Sequence, residues 1–544
     1  MDGEVRTSRE ARAAVTMRGA GELRAAWPDG IVAVLRARRD GAAAWRVDCS
    51  VSTRHAVRIG AVGVHVDELP ATRVLVDGYH SWDWAGVRDA TTAGRGWWGC
   101  VWGTPRGAAT SVALVAPPKL GPLLLRWSGG AALAAFSVGA PPQLRHATGP
   151  PPLLGVPLAA GATLHGDPVR VSALERRSPW GLGLPRPGPR DRRPPPRVAG
   201  WMSWNCLGPS ASAADVVAAA RTLVPPGGVA LLDDGWMPLW GDWRERSDFD
   251  SALGDLAGAV HATGRRLGVW LAPFLVDPQS RTAAERAHLL LRDARSGDPV
   301  QQVRAPRPQH VIDASLPAAR AHLATLGRRM GRLGVDALKL DFLFAGALPG
   351  ARTGMSDVAA LRAGVAALVR AYRSTAPRGS RVFACGAPAA PLVGLVDACR
   401  SGDDSVLNVP PANVPLPPRP WYLHGDATLR AQSRNLAARS WLWGATVPPD
   451  VDAVSLAQVG DTAAPAESYA REWLQLAVDS GGPLLDADAP DGRVAGARLR
   501  MLRRAQGAVM RQSARPRRPH DPLSGSALAD DDAGFHDFPG ELPR

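Results

Sequence analysis

Hydrophobic positions in the first 178 residues come in short runs, such as Ile31-Val32-Ala33-Val34-Leu35 and Val57-Arg58-Ile59, broken by Gly, Pro and Asp. Short runs bounded by turn formers predict strands. No helical period interrupts them after the first twenty-odd residues. Strands that bury one face need a second layer to bury it against, so residues 1–178 are expected to form a β-sandwich domain. Residues 179–196 then hold Pro179, Pro185, Pro187 and Pro194-Pro195-Pro196 among Arg192 and Arg193. Proline at that density removes backbone donors and excludes a central strand or helix, so this stretch reads as a linker.

From residue 197 the period changes. Apolar strand-like runs alternate with stretches of helical period, and the alternation continues to about residue 512. The strands predicted are Val198–Trp201, Val229–Asp233, Leu267–Leu271, Ala337–Asp341, Val382–Cys385, a segment around Cys399-Arg400 and Gly482–Leu485. Helices are expected from near Ser212 and over about 251–264, 282–292, 317–333, 356–374, 428–440 and 467–478. Strands joined by crossover helices are parallel, and about eight of them suit a (β/α)8 barrel. An open doubly wound sheet is the alternative, but it finds no GxGxxG or Walker loop to support it. Residues 513–544 turn polar and Pro-rich and read as a disordered tail.

Composition narrows the classes. The chain has 544 residues and a formal charge of +14, from 64 Lys+Arg against 50 Asp+Glu. The basic residues are scattered, densest between Arg511 and His520, so no nucleic-acid partner is expected. Five cysteines without a CxxC pair make neither a disulfide framework nor a zinc site. No HExxH or close His cluster occurs either, so neither metal nor cofactor is expected. The N-terminus lacks the charge and apolar run of a signal peptide, and no apolar stretch reaches the length of a membrane span. A cytoplasmic protein is therefore expected. Nineteen Trp against eight Phe and four Tyr is a skew that suits sugar rings, since an indole face packs on C–H groups while its N–H donates.

The active site of such a barrel lies at the C-terminal ends of its strands. Carboxylates end several of the predicted strands: Asp233-Asp234 the second, Asp341 the fourth, Asp403-Asp404 a position just past the sixth. A lone Asp there is readily a helix cap. Lys339 and Asp341 are harder to explain that way, because strand residues two apart share a face and both would point into the mouth. A cation beside a carboxylate keeps it ionised. Two carboxylates, one ionised and one protonated, are the minimum apparatus for glycoside hydrolysis. A separation of about 5–5.5 Å belongs to the retaining mechanism.

The motifs resemble glycoside hydrolase family 36, the bacterial α-galactosidases or melibiases. The resemblance is carried by Gly200-Trp201-Met202-Ser203-Trp204, Leu232-Asp233-Asp234-Gly235-Trp236, Gly241-Asp242-Trp243 and Gly268-Val269-Trp270-Leu271-Ala272-Pro273-Phe274. It continues in Lys339-Leu340-Asp341-Phe342, Cys385-Gly386-Ala387-Pro388 and Gly394–Arg400, in order over about 200 residues. Upstream, Asp77-Gly78-Tyr79-His80-Ser81-Trp82 is similar to a loop of the family's N-terminal β-supersandwich. The resemblance implies a retaining α-galactosidase with Asp341 as nucleophile and Asp404 as acid/base, Asp403 being one residue away. It implies that Asp233 and Asp234 bind galactose O4 and O6, Lys339 the O3/O4 side and Arg400 the O2 side. Trp270, Cys385, Gly386, Trp204 and Trp82 would line or border the pocket.

Several positions depart from the family. Ser401 follows the Arg, Asn205-Cys206 replaces Tyr-His, and Tyr79-His80 replaces Trp-Gln. Pro448-Pro449-Asp450-Val451-Asp452 only loosely echoes an Asn-Asp-Pro-Asp segment, and the family's C-terminal β-sandwich is expected to be absent. These changes leave open a raffinose-synthase-like galactosyltransferase, an α-N-acetylgalactosaminidase, or a non-catalytic sugar-binding protein. An α-galactoside oligosaccharide is the expected partner, and a homo-oligomer is left open.

Overall fold

The structure is a computed structural model. It describes residues 14–17, 21–41, 44–59, 61–66, 71–104, 109–128, 131–137, 147–148, 156–174, 197–302, 307–352, 354–402, 404, 425–443, 447–457 and 464–511. The expected linker, the expected tail and Asp403 lie outside the described residues.

Between Ala14 and Leu174 the described elements are all strands, thirteen of them joined in one antiparallel sheet. Its middle strand, Gly94–Gly103, pairs with Arg73–Asp77 along one edge and with Ala109–Leu114 and then Leu123–Ser128 along the other. Trp97, Trp98, Cys100 and Val101 of that strand are buried, so the apolar runs pack as the hydrophobic pattern requires.

The second region is a ring of parallel strands, here numbered β1 Ala199–Met202, β2 Val229–Leu232, β3 Arg266–Leu271, β4 Ala337–Leu340, β5 Arg381–Ala384, β6 Ala398–Arg400, β7 Pro449–Asp450, β8 Ala453–Val454 and β9 Leu484–Asp486. The hydrogen-bonded order is β7-β6-β5-β4-β3-β2-β1-β9-β8. Only Val451 and Asp452 separate β7 from β8, so the chain itself carries the sheet from one end of that order to the other. The sheet therefore curls round on itself in a TIM-barrel-like arrangement. Met202, Leu231, Ala337, Phe383, Ala398, Ala453 and Leu485 pack together as one apolar cluster in its interior. Side chains alternate along a strand, so the residues two positions on from these face the same way at the C-terminal rim: Asp233, Lys339, Cys385 and Arg400.

Helices begin where the caps place them. Ser212 forms a reciprocal capping box with Asp215 before Ala213–Thr222, and Ser356 accepts from the Ala359 N–H before Asp357–Arg373. Proline stands at the start of Pro317–Arg332, where its missing N–H costs nothing.

One expectation fails. In place of a helix over 282–292 there is a single turn, Arg281–Glu285, and a short 3-10 segment. Leu291 then donates to and accepts from extended neighbours, its N–H bonding Val311 O. The buried run Leu289-Leu290-Leu291 passes from that 3-10 segment into extended backbone, Leu290 pairing with Ile312, and an apolar run of that length fits strand and helix equally. The helix Gly496–Arg511 and the split strand β7/β8 are additions that the periodicity did not predict. Among the described residues no helix is long and apolar enough to cross a membrane.

Candidate active site

Lys339 lies at the centre of the rim. Its Nζ donates to Asp233 Oδ2 at 2.8 Å and stands 4.0 Å from Asp341 Oδ2, with Met202 Sδ at 3.4 Å. The ammonium's closer partner is thus Asp233 rather than Asp341. Burial works against its charge, but the two aspartates outweigh burial and raise its pKa above that of an ordinary lysine. Burial also raises Asp233, while Lys339 pulls it the other way.

Asp341 follows β4, and both of its oxygens are held. Trp270 Nε1 donates to Oδ2 at 3.0 Å, and the Phe342 N–H donates to Oδ1 at 2.7 Å. That second bond coincides with a left-handed backbone at Phe342, φ 51°. A bulky residue in this region is strained, and strain that survives next to a carboxylate points to a geometry the surroundings enforce. Asp452, φ 71°, shares this conformation and also contacts the site.

Asp234 takes a bond from Trp240 Nε1 at 3.0 Å, and burial pushes its pKa up to about 7. Trp240 leans on both Trp270 and Phe342, with ring centroids 5.3 and 5.2 Å apart. An indole wall therefore joins the ends of β2, β3 and β4.

On the opposite side Arg400 is buried among acids. Nη1 donates to Asp404 Oδ1 at 3.0 Å, Nη2 meets Asp452 Oδ1 at 2.5 Å, and Nε lies 3.7 Å from Asp450 Oδ2. Asp404 itself is exposed, with 56% of its side chain open to solvent. Burial raises the pKa of Asp450, opposed by Arg400. Burial would lower the pKa of Arg400, but Asp452 leads the groups that raise it well above the usual guanidinium value.

Cys385 is buried between these two halves, and burial pushes its thiol up, which makes it a poor nucleophile. Gly386 adopts φ 55°, and a Cβ there would sit 2.8 Å from the Trp82 ring. Trp82 is buried and edges onto Phe342 and Phe344 at 5.3 and 5.7 Å. Trp204 is half-buried on the one-turn helix after β1. The structure thus brings Asp233, Asp234, Trp270, Lys339, Asp341 and Cys385 to one rim with Arg400 and Asp404, and Trp82 closes against Gly386 from the antiparallel region. Among the described residues, no three His, Cys, Asp or Glu side chains are placed to hold a metal ion.

Sequence reasoning missed Trp240, Asp450 and Asp452. Trp240 precedes the Gly241-Asp242-Trp243 motif, a signal that could have found it. Asp450 and Asp452 stood in the segment read as a loose echo.

No protein-family model matches the chain. Its fold is shared with solved α-galactosidases, including ones of glycoside hydrolase family 36. One, from Thermus thermophilus and solved with p-nitrophenyl α-D-galactopyranoside, is 21% identical at a TM-score of 0.63, the match covering 91% of this chain and 95% of that one. The family 36 α-galactosidase AgaA from Geobacillus stearothermophilus is 14% identical at 0.61, over 93% of this chain and 71% of that one. The α-galactosidase from Lactobacillus brevis is 14% identical at 0.60, over 93% and 69%. At these identities the likeness is one of fold.

Proposed function

We propose that the protein is a retaining α-galactosidase that removes terminal non-reducing α-D-galactosyl residues from oligosaccharides. The observation that carries this reading is the Lys339 ammonium between Asp233 and Asp341, with Trp270 Nε1 fixing the Asp341 carboxylate. A buried anion held by donors, beside a cation, is prepared to attack an anomeric carbon and to face the positive charge that develops there. Solved proteins of the same fold carry stachyose and raffinose, which supports oligosaccharide substrates.

In the proposed sequence an Asp341 oxygen bonds to C1 as the bond from C1 to the leaving oxygen breaks. Asp404, or Asp403 beside it, gives its proton to that oxygen. Water then attacks C1, gives its proton back to the same carboxylate, and releases galactose and free Asp341. Asp233 and Asp234 accept hydrogen bonds from galactose hydroxyls. Such buried acceptors discriminate sharply, because an epimer leaves one unmatched. The five unpaired thiols are compatible with the cytoplasmic location that forms part of this proposal.

The test is a panel of initial rates on p-nitrophenyl α-galactoside, its α-N-acetylgalactosaminide and α-glucoside counterparts, and melibiose with and without a sugar acceptor. Preferred cleavage of the α-galactosides with water as acceptor is expected. Diversion of product to the sugar acceptor would make it a transferase. Galactose binding without cleavage of any member would make it a binding protein.

A further inference from the structure

One buried guanidinium beside the site has no part in the chemistry above. Arg439, 4% exposed, belongs to the helix Gly425–Trp443. Its Nε donates to Asp77 Oδ1 at 2.8 Å. Nη1 donates to Ser81 O at 2.5 Å and Ser401 O at 2.6 Å, and Nη2 to His80 O at 3.0 Å and Asp83 O at 2.9 Å. The planar fork is thus spread over one carboxylate and four carbonyls, an arrangement that a lysine's point charge cannot reproduce.

The positions of those carbonyls give the arrangement its meaning. His80, Ser81 and Asp83 bracket Trp82, the ring that lies against Gly386. Ser401 directly follows Arg400, whose guanidinium holds Asp404. The Trp82 loop is also sewn to the barrel by a reciprocal pair, Ser81 N–H to Ala387 O at 2.8 Å and Ala387 N–H to Ser81 Oγ at 3.1 Å. Arg439 therefore ties two separate walls of the site to one rigid group, and its charge is balanced by Asp77 from the antiparallel sheet.

We propose that Arg439 is a positioning residue. It holds the Trp82 loop and the backbone after Arg400 in a single frame, and so sets the distance between the pocket wall and the Arg400–Asp404 arm. It touches no substrate. The inference rests on the proposed α-galactosidase reading. A simple structural pin between two layers would need the same hydrogen bonds but would not care which side of the reaction they serve.

The experiment compares wild type, Arg439→Lys and Arg439→Met, each held below its unfolding temperature as followed by circular dichroism, on p-nitrophenyl α-galactoside and on melibiose. The aryl substrate has a good leaving group and depends little on proton donation, whereas melibiose depends on it fully. Arg439→Lys is expected to lower kcat on melibiose by about 10- to 100-fold, with a smaller loss on the aryl substrate and KM changing less than kcat. If Arg439→Met does not fold, Asp77→Asn, which keeps every carbonyl partner, is expected to show the same ordering in weaker form. Folded variants with lowered melting temperature but wild-type kcat and KM on both substrates would overturn the inference and leave the functional reading standing. An inactive wild type would overturn both.

Discussion

Lys339 shows how much chemistry a single residue can set. One ammonium serves Asp233 at 2.8 Å and Asp341 at 4.0 Å. Its loss leaves two buried carboxylates without a cation. Lys339→Met is expected to cost about 3–5 kcal/mol of stability, as broken buried pairs do, read as a drop in denaturant midpoint. Activity on an aryl α-galactoside should fall with it. Asp234 makes a second prediction. Burial brings its pKa to about 7, so in the free protein it is protonated below that pH and ionised above it. A carboxylate accepts from sugar hydroxyls better than a carboxylic acid, so galactose affinity should weaken as pH falls through about 7. The Trp240 bond lowers this pKa, so Trp240→Phe should move the transition to higher pH. Inhibition constants for galactose between pH 5 and 9 measure both; a flat profile in wild type would contradict the assignment. Lys339 and Asp341 were legible in the sequence because residues two apart share a face at a strand end, Asp233 and Asp234 because acids end a predicted strand, and Arg400 only through the family resemblance. Trp240, Asp450 and Asp452 were not, because loops and a split strand carry no period to read.

Among elements, two short segments hold the geometry. Gly386 has φ 55° and a Trp82 ring where its Cβ would fall. Gly386→Ala should cost about 1–3 kcal/mol from the left-handed backbone and further displace Trp82, lowering both melting temperature and kcat/KM. An unchanged kcat/KM would remove Trp82 from the pocket wall. Arg197 performs the equivalent service for a helix. It donates to Ala477 O, Val478 O and Gly482 O, closing the C-terminal end of the helix Glu467–Ser480. Four orphan carbonyls end every helix, and a cation there is favourable. Arg197→Ala should lower stability by about 2–3 kcal/mol while leaving KM for an aryl α-galactoside unchanged, checked by chemical denaturation beside kinetics. Helix starts at Ser212, Pro317 and Ser356 were legible because caps and proline are local signals. The segment 282–292 was not, since the choice between its extended and helical forms is made by its partner Val311, far away in sequence.

For the whole molecule, the antiparallel sheet and the curled parallel sheet are bound at a polar joint. Arg439 meets Asp77, Asn435 Oδ1 accepts the Ala85 N–H at 3.0 Å, and Ser81 pairs with Ala387. Nothing in a sequence pattern shows such a joint, because its partners are more than 300 residues apart and some are backbone atoms. The alternation of strand and helix after residue 197 did show the parallel architecture. It could not show that β7 and β8 close the ring through Val451 and Asp452, since each is too short to stand out as an apolar run. Asp341 is the proposed nucleophile of this rim, and azide rescue probes that role. Asp341→Gly should be almost inactive on p-nitrophenyl α-galactoside, and added azide should restore turnover with β-galactosyl azide as product, identified by its anomeric coupling. Wild-type activity persisting in Asp341→Gly, or rescue that yields the α-azide, would contradict the assignment of Asp341 as the group that attacks C1.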